Sequence, residues 1–167
     1  MQVGSSERER LAHLFLRIPS ESRVGGKSEQ VIYEHNTVFL AMNKVFFCKF
    51  GARPNEKMIE RLRDQIASKM TTFVYFSVRV KKDFVGYRAE MGSIEPRAWD
   101  PNMRRFAPPY YDAINQEIYN GCLWLEIRSE ISRCDLMNLR LFSNKRPLLE
   151  VLHETRTASM MVEQVHS

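Results

Sequence analysis

Two hydrophobic periods alternate along this chain. In PNEKMIERLRDQIASKM (54–70), Met58, Ile59, Leu62 and Ile66 recur at helical spacing, with Arg61, Arg63, Asp64 and Lys69 elsewhere. The segment predicts an amphipathic helix with Pro54 and Asn55 at its start. FVYFSVRVKKDFVGYRAEM (73–91) has two apolar runs around the polar turn Lys81-Lys82-Asp83. It predicts a hairpin in which Gly86 marks a close backbone approach or a strand-bending bulge. TVFLAMN (37–43), β-branched and apolar, predicts a buried strand. SSERERLAHLFLRIP (5–19) places Leu11, Leu14, Phe15 and Ile18 at helical spacing behind a serine cap. That spacing predicts a short amphipathic helix ending before Pro19.

SESRVGGKSEQ (20–30) reads as a flexible linker rich in Ser and Gly. The stretch from Gly92 to Asn120 holds four of the seven prolines. It reads as a loop with one helical turn near YYDAINQEIY. GCLWLEIRSEI, DLMNLRLFS and PLLEVLH predict short closing strands, and TASMMVEQV a last helical turn. Trp124 alternates away from Leu123 and Leu125, and burial beneath the N-terminal helix is expected over a role as stacking platform. The order predicts an α+β domain with a twisted or barrel-like sheet flanked by helices. Residues 1–30 form an N-terminal helix and linker, and 31–167 form the domain.

Composition narrows the class of function. At 167 residues, 44% apolar and 27% charged, the chain has enough material for one core. Its net charge of +5 favours an acidic partner such as nucleic acid. Cys48, Cys122 and Cys134 are scattered without a C-x-x-C pair, which argues against a disulfide framework or a zinc site and for a reducing compartment. No secretory signal or membrane-length apolar run stands in the sequence. The expected localisation is intracellular, in nucleus or cytoplasm.

Catalytic motifs are missing. There is no G-x-S-x-G, phosphate-loop or H-E-x-x-H pattern. Gly25-Gly26-Lys27-Ser28 lacks the first glycine of a phosphate loop and a preceding buried strand. His13, His35, His153 and His166 are too dispersed to announce a metal cluster or a nucleophile–base pair. Neither an enzyme nor a cofactor is expected.

The segment NEKMIERLRDQIASKMTTFVYFSVRVKKDFVGYRAEM resembles the central part of the YTH family of RNA-binding domains. Asn55-Glu56-Lys57 stands at the helix start, Phe76-Ser77-Val78 at the strand end, and Phe84, Gly86 and Ala89-Glu90-Met91 on the second strand, with one extra residue at Tyr87-Arg88. EIYNGCLWLEI (117–127) and DLMNLRLFSNKRPLLEVLHETRTASMM (135–161) are similar to later family segments. There Arg140 takes the arginine position and Pro147 the proline, and TVFLAMN would be the first strand. The resemblance spans roughly residues 36–165. It implies a PUA-like, twisted β-barrel of about six strands flanked by helices, binding single-stranded RNA as a monomer. Most family members hold N6-methyladenosine in an aromatic cage, an instance of the general stacking of unpaired RNA bases on rings.

Carried over residue by residue, the cage is depleted. Where the first tryptophan is expected, the chain has Gly51-Ala52-Arg53 with Phe50 just before. The second position is Ile114 and the third Tyr119. The base-contacting residues after the first strand read Met42-Asn43-Lys44. Trp99, Phe106, Tyr110 and Tyr111 lie in an insertion of the long loop. The base pocket implied by the resemblance is therefore Asn43, Lys44, Arg53, Ile114, Tyr119, Tyr110 and Tyr111. The implied phosphate contacts are Arg104, Arg105, Arg140, Lys145 and Arg146.

The expectation is a single-stranded RNA binder with weak or absent dependence on methylation. One alternative is a methyl-adenosine reader with a cage rebuilt from Tyr119 and the 92–118 loop. The other is a protein-interaction scaffold that docks a partner through the N-terminal helix.

Overall fold

The computed structural model describes residues 10–19, 21–22, 26–49, 53–113 and 122–165. In chain order the elements are β1 (His13–Ile18), β2 (Glu21–Ser22), β3 (Gly26–Lys27), α1 (Ser28–Met42), β4 (Val45–Lys49) and α2 (Glu56–Ala67). There follow β5 (Phe73–Val80), β6 (Asp83–Pro96), 3-10 turns at Pro101–Phe106 and Pro109–Ala113, and β7 (Leu123–Ile127). The chain closes with β8 (Ser132–Cys134), β9 (Leu139–Leu141), α3 (Leu148–Glu154) and β10 (Ser159–Gln164). Among these residues no helix is long and apolar enough to cross a membrane.

The domain is α+β. An eight-stranded sheet runs β4-β7-β6-β5-β1-β10-β9, with β8 added along β6. Its path is open, ending at β4 and β9, so the expected closed barrel is not formed. The 14-residue β6 joins the two halves of the sheet. Its first half pairs with β5 and β8, and its second half with β7 beyond a register shift between Met91 and Ser93. Gly92 lies at that irregularity.

The predicted hairpin is β5–β6, in continuous register from Phe73↔Glu90 to Val80↔Asp83. A Cβ on Gly86 would stand 2.5 Å from Leu136 Cγ and 2.8 Å from the Cys134 carbonyl. Glycine is therefore required there for close approach of the β8 segment. The predicted central helix is α2. Its Asn55 cap accepts from the Met58 amide, and Ile59 and Leu62 are buried.

Five expected elements are corrected. His13–Ile18 is a strand, not part of an N-terminal helix; it pairs parallel to β5 and antiparallel to β10. Leu14, Leu16 and Ile18 enter one core while Phe15 enters another, so both faces are buried and the strand reads as a continuous apolar run. TVFLAMN is not a strand, because Thr37–Met42 completes α1. Packing of Val31, Ile32 and His35 at helical spacing outweighs the β-branched residues near its end. PLLEVLH forms α3, with Leu148, Val151 and Leu152 buried at the i, i+3, i+4 positions. The closing helical turn is instead β10, whose Met160 and Val162 point into the core under α3. The expected linker contributes the small β2–β3 pair and the first turn of α1.

The apolar cores lie on opposite sides of the sheet. Leu14, Leu16, Val74, Phe76, Ala89 and Leu125 pack beneath α1 and α2. On the other side, Phe15, Tyr75, Met160 and Val162 pack against Leu148, Val151 and Leu152 of α3. Phe46, Cys48 and Trp124 alternate away from the first core and meet Met103, Ala107 and Tyr111 of the 3-10 turns. Side-chain amides join the layers. Gln65 of α2 accepts from the Ala12 amide (2.9 Å) and donates to its carbonyl (2.7 Å), in the manner of a neighbouring strand. Asn36 does the same for Ile131 (2.7 and 2.9 Å), tying α1 to the segment after β7.

Candidate nucleic-acid interface

The 3-10 turns bring the loop aromatics onto the edge of the sheet. Asp100 caps the first turn by accepting from the Asn102 amide, with Pro101 at its start. Arg104 of this turn pairs with Asp112 of the second at 2.8 Å. Beneath them Trp99 tilts over Trp124 at 5.3 Å between ring centroids, and Tyr111 meets Trp124 edge-on at 5.7 Å. Trp124 is 1% exposed, Tyr111 2% and Phe46 6%. Trp124 is thus buried as expected, but under the loop aromatics and not beneath an N-terminal helix, because His13–Ile18 is a strand. Burial of one such ring contributes roughly 1.5–3 kcal/mol.

Tyr111 and His35 form a polar centre in this apolar cluster. The Cys48 amide donates to the Tyr111 hydroxyl at 3.1 Å. His35 Nδ1–H donates to the Val31 carbonyl at 2.7 Å, which leaves Nε2 to accept from the Tyr111 hydroxyl at 3.1 Å. Desolvation lowers the His35 pKa to about 4, so the ring is neutral at pH 7. Burial likewise raises the hydroxyl pKa of Tyr110 and Tyr111. The centre gives an outer-strand amide a hydrogen-bond partner and fixes the second 3-10 turn to α1 and β4. No motif announces His35 in the sequence; its signal is its place beside Val31 and Ile32 on the buried face of α1.

The outer rings differ from the inner ones. Trp99, Phe106 and Tyr110 are half-buried. Lys44 Nζ stands 4.3 Å from the Phe106 ring centroid and Arg105 Cζ 4.6 Å from it. Arg97 Cζ lies 5.9 Å from the Phe46 ring. Lys44, Arg97 and Arg105 therefore stand against the rings at the outer side of a closed interior.

The predicted base-pocket residues divide accordingly. Lys44, Tyr110 and Tyr111 belong to this cluster, although Lys44 follows a helix and not the first strand. Asn43 is exposed with φ 61° and terminates α1; its amide donates to the Phe39 carbonyl at 2.7 Å. Arg53 stands 4.0 Å from Glu56 before α2. Ile114 and Tyr119 lie outside the described residues, as do Phe50, Gly51 and Ala52.

The predicted phosphate contacts are mostly engaged with carboxylates. Arg104 pairs with Asp112. Arg140 and Arg10 both reach Glu163 at 2.8 Å. Arg146 spans Glu150 (3.1 Å) and Glu154 (2.7 Å) on α3. Arg105 and Lys145 are exposed, Lys145 with φ 62°. Arg105 joins the aromatic rim, whereas Arg140 and Arg146 belong to the sheet end and α3. Depressions of about 400 and 440 Å³ flank α2, and no predicted site residue lines either.

Compared with known protein families, curated proteins and solved structures, the chain matches none.

Proposed function

We propose that the chain is a non-catalytic, YTH-like domain that binds single-stranded RNA, with weak or absent dependence on N6-methylation of adenosine. The division of the aromatic cluster into a closed interior and a cationic rim supports this reading. Phe46, Tyr111 and Trp124 pack against protein and offer no open ring face to a base. Phe106 is half-buried, with Lys44 Nζ and Arg105 Cζ over its ring at 4.3 and 4.6 Å from the centroid. Such a surface favours sequence-tolerant stacking, at roughly 1–3 kcal/mol per base, with phosphates held by the cations. Selective methyl recognition demands an enclosed aromatic cage, and the inner rings among the described residues are occupied by one another.

A fluorescence-anisotropy titration with a short adenosine-containing single strand, with and without one N6-methyl group, at two salt concentrations tests the reading. The expected result is equal, salt-sensitive binding of both strands. A methyl preference of tenfold or more, about 1.4 kcal/mol, would overturn the methyl-independence. Absence of binding to either strand would refute RNA recognition. The weight would then pass to a protein scaffold, docking not through an N-terminal helix, since His13–Ile18 is a strand within the sheet, but through the exposed Tyr33 (68%) and Leu40 (67%) of α1.

A further inference from the structure

A separate cationic surface lies at the far end of the β5–β6 hairpin, where the sheet meets the end of α3. Arg79 and Lys81 are joined by a hydrogen bond from Arg79 Nε to the Lys81 carbonyl at 3.3 Å, with Lys82 next in the turn. Arg17 stands opposite Ser77 on the adjacent β1, on the face that also carries Arg79 and its partner Phe84. The Arg17 guanidinium donates to the carbonyls of Leu152, Thr155 and Thr157. Arg156 lies between the last two of these acceptors. Loops from different parts of the chain thus converge, with Arg17, Arg79, Lys81, Lys82 and Arg156 in one neighbourhood.

Among the described residues, none of these five cations is within 4 Å of a carboxylate oxygen in an ion pair. Arg79, Lys81, Lys82 and Arg156 are exposed, and Asp83 is the acidic residue of the turn. Burial, and then the like charge of Arg79, lower the Arg17 pKa, which agrees with crowded positive charge. Lys81 also adopts φ 57°, a turn conformation for which Gly, Asn or Asp is the ordinary choice. Half-buried Phe84 lies within this group, 5.7 Å from Arg17 Cζ and 5.1 Å from the His153 ring.

We propose that this hairpin end is a second contact surface for single-stranded RNA, with Arg79, Lys81, Lys82 and Arg156 neutralising backbone phosphates and Phe84 offering a ring edge to a base. The inference rests on the RNA-binding reading and extends it to a surface distinct from the loop-covered cluster. Unpaired cations around an aromatic ring fit a flexible polyanion carrying stackable bases. Arg17 is held by backbone carbonyls, so it contributes field and shape while the exposed side chains make the contacts.

The test uses the full chain and a fluorescein-labelled uridine-rich single strand, titrated by anisotropy across a salt series. Wild type is compared with the double variants Lys81→Glu/Lys82→Glu and Lys81→Arg/Lys82→Arg, with circular dichroism establishing that each is folded. The expected result is at least tenfold weaker binding by the glutamate variant and a salt slope shallower by about 1.4, the counterion release of two single-strand phosphate contacts. The arginine variant should retain wild-type affinity. Wild-type affinity and slope in a folded glutamate variant would overturn the hairpin surface while leaving RNA recognition intact. Failure of wild type itself to bind the strand would refute both.

Discussion

Arg140 and Arg146 beside the end of the sheet and α3, and Lys81 and Lys82 in the β5–β6 turn, all carry one positive charge but differ as fields. Arg140 shares Glu163 with Arg10, and Arg146 straddles two carboxylates of α3. These pairs leave little net charge for a distant polyanion. The hairpin cations have no such carboxylate partners among the described residues, so their charge reaches solvent. A cation count therefore says little about an electrostatic surface until the tertiary pairing of those cations is known.

The largest effect expected from breaking this contrast is at Glu163, which is 5% exposed. Glu163→Ala leaves Arg10 and Arg140 without their shared acceptor. It should lower stability in urea unfolding by about 2–3 kcal/mol, the scale of hydrogen bonds to charged groups. Hydrogen bonds from Arg10, and then from Arg140, hold the Glu163 carboxyl below its ordinary range. Its folded pKa is depressed, so its contribution is full above the unfolded carboxylate pKa and is lost as pH falls through the folded value. An acid-unfolding curve for the variant that matches wild type in this range would show that the paired arginines are dispensable.

An intermediate effect is expected on the hairpin that carries the loose cations. Gly86→Ala introduces a methyl group at 2.5 Å from Leu136 Cγ and 2.8 Å from the Cys134 carbonyl. The expected cost is about 1–3 kcal/mol, because overpacking here must move backbone as well as side chain. Thermal unfolding measures it, and an unshifted midpoint would mean that β8 can withdraw without penalty.

The smallest effect should come from Arg146→Ala. Both its ion pairs are solvent-exposed, so chemical unfolding should show no measurable shift of the midpoint, and RNA affinity should change less than twofold. A loss of affinity as large as that expected at the hairpin end would erase the distinction between paired and unpaired cations.

Several elements were legible before folding was considered. Met58, Ile59, Leu62 and Ile66 describe α2 by period alone, and Asn55 serves as its cap. The alternation around Lys81-Lys82 describes β5–β6, and the place of Trp124 between two leucines announces its burial but not the loop aromatics that cover it. The errors fall where both periods fit a short apolar run. LAHLFLRI satisfies helical spacing, yet it lies between two strands and is buried on both faces. PLLEVLH contains a helical i, i+3, i+4 face, Leu148, Val151 and Leu152, in an apolar run too short for its period to separate helix from strand.

The sequence by itself determined the α+β class, the central helix, the hairpin and an aromatic loop, because their side-chain periods and turn residues are local properties. Tertiary structure decided the open sheet, the joining of His35 to Tyr111, and the division of loop aromatics into interior and rim. It also decided which arginines are neutralised. These depend on contacts between distant residues, such as Arg10 with Glu163 or Arg17 with the carbonyls near Arg156. No local pattern encodes such pairings, since burial and electrostatic partnership are set only when separate elements share one space.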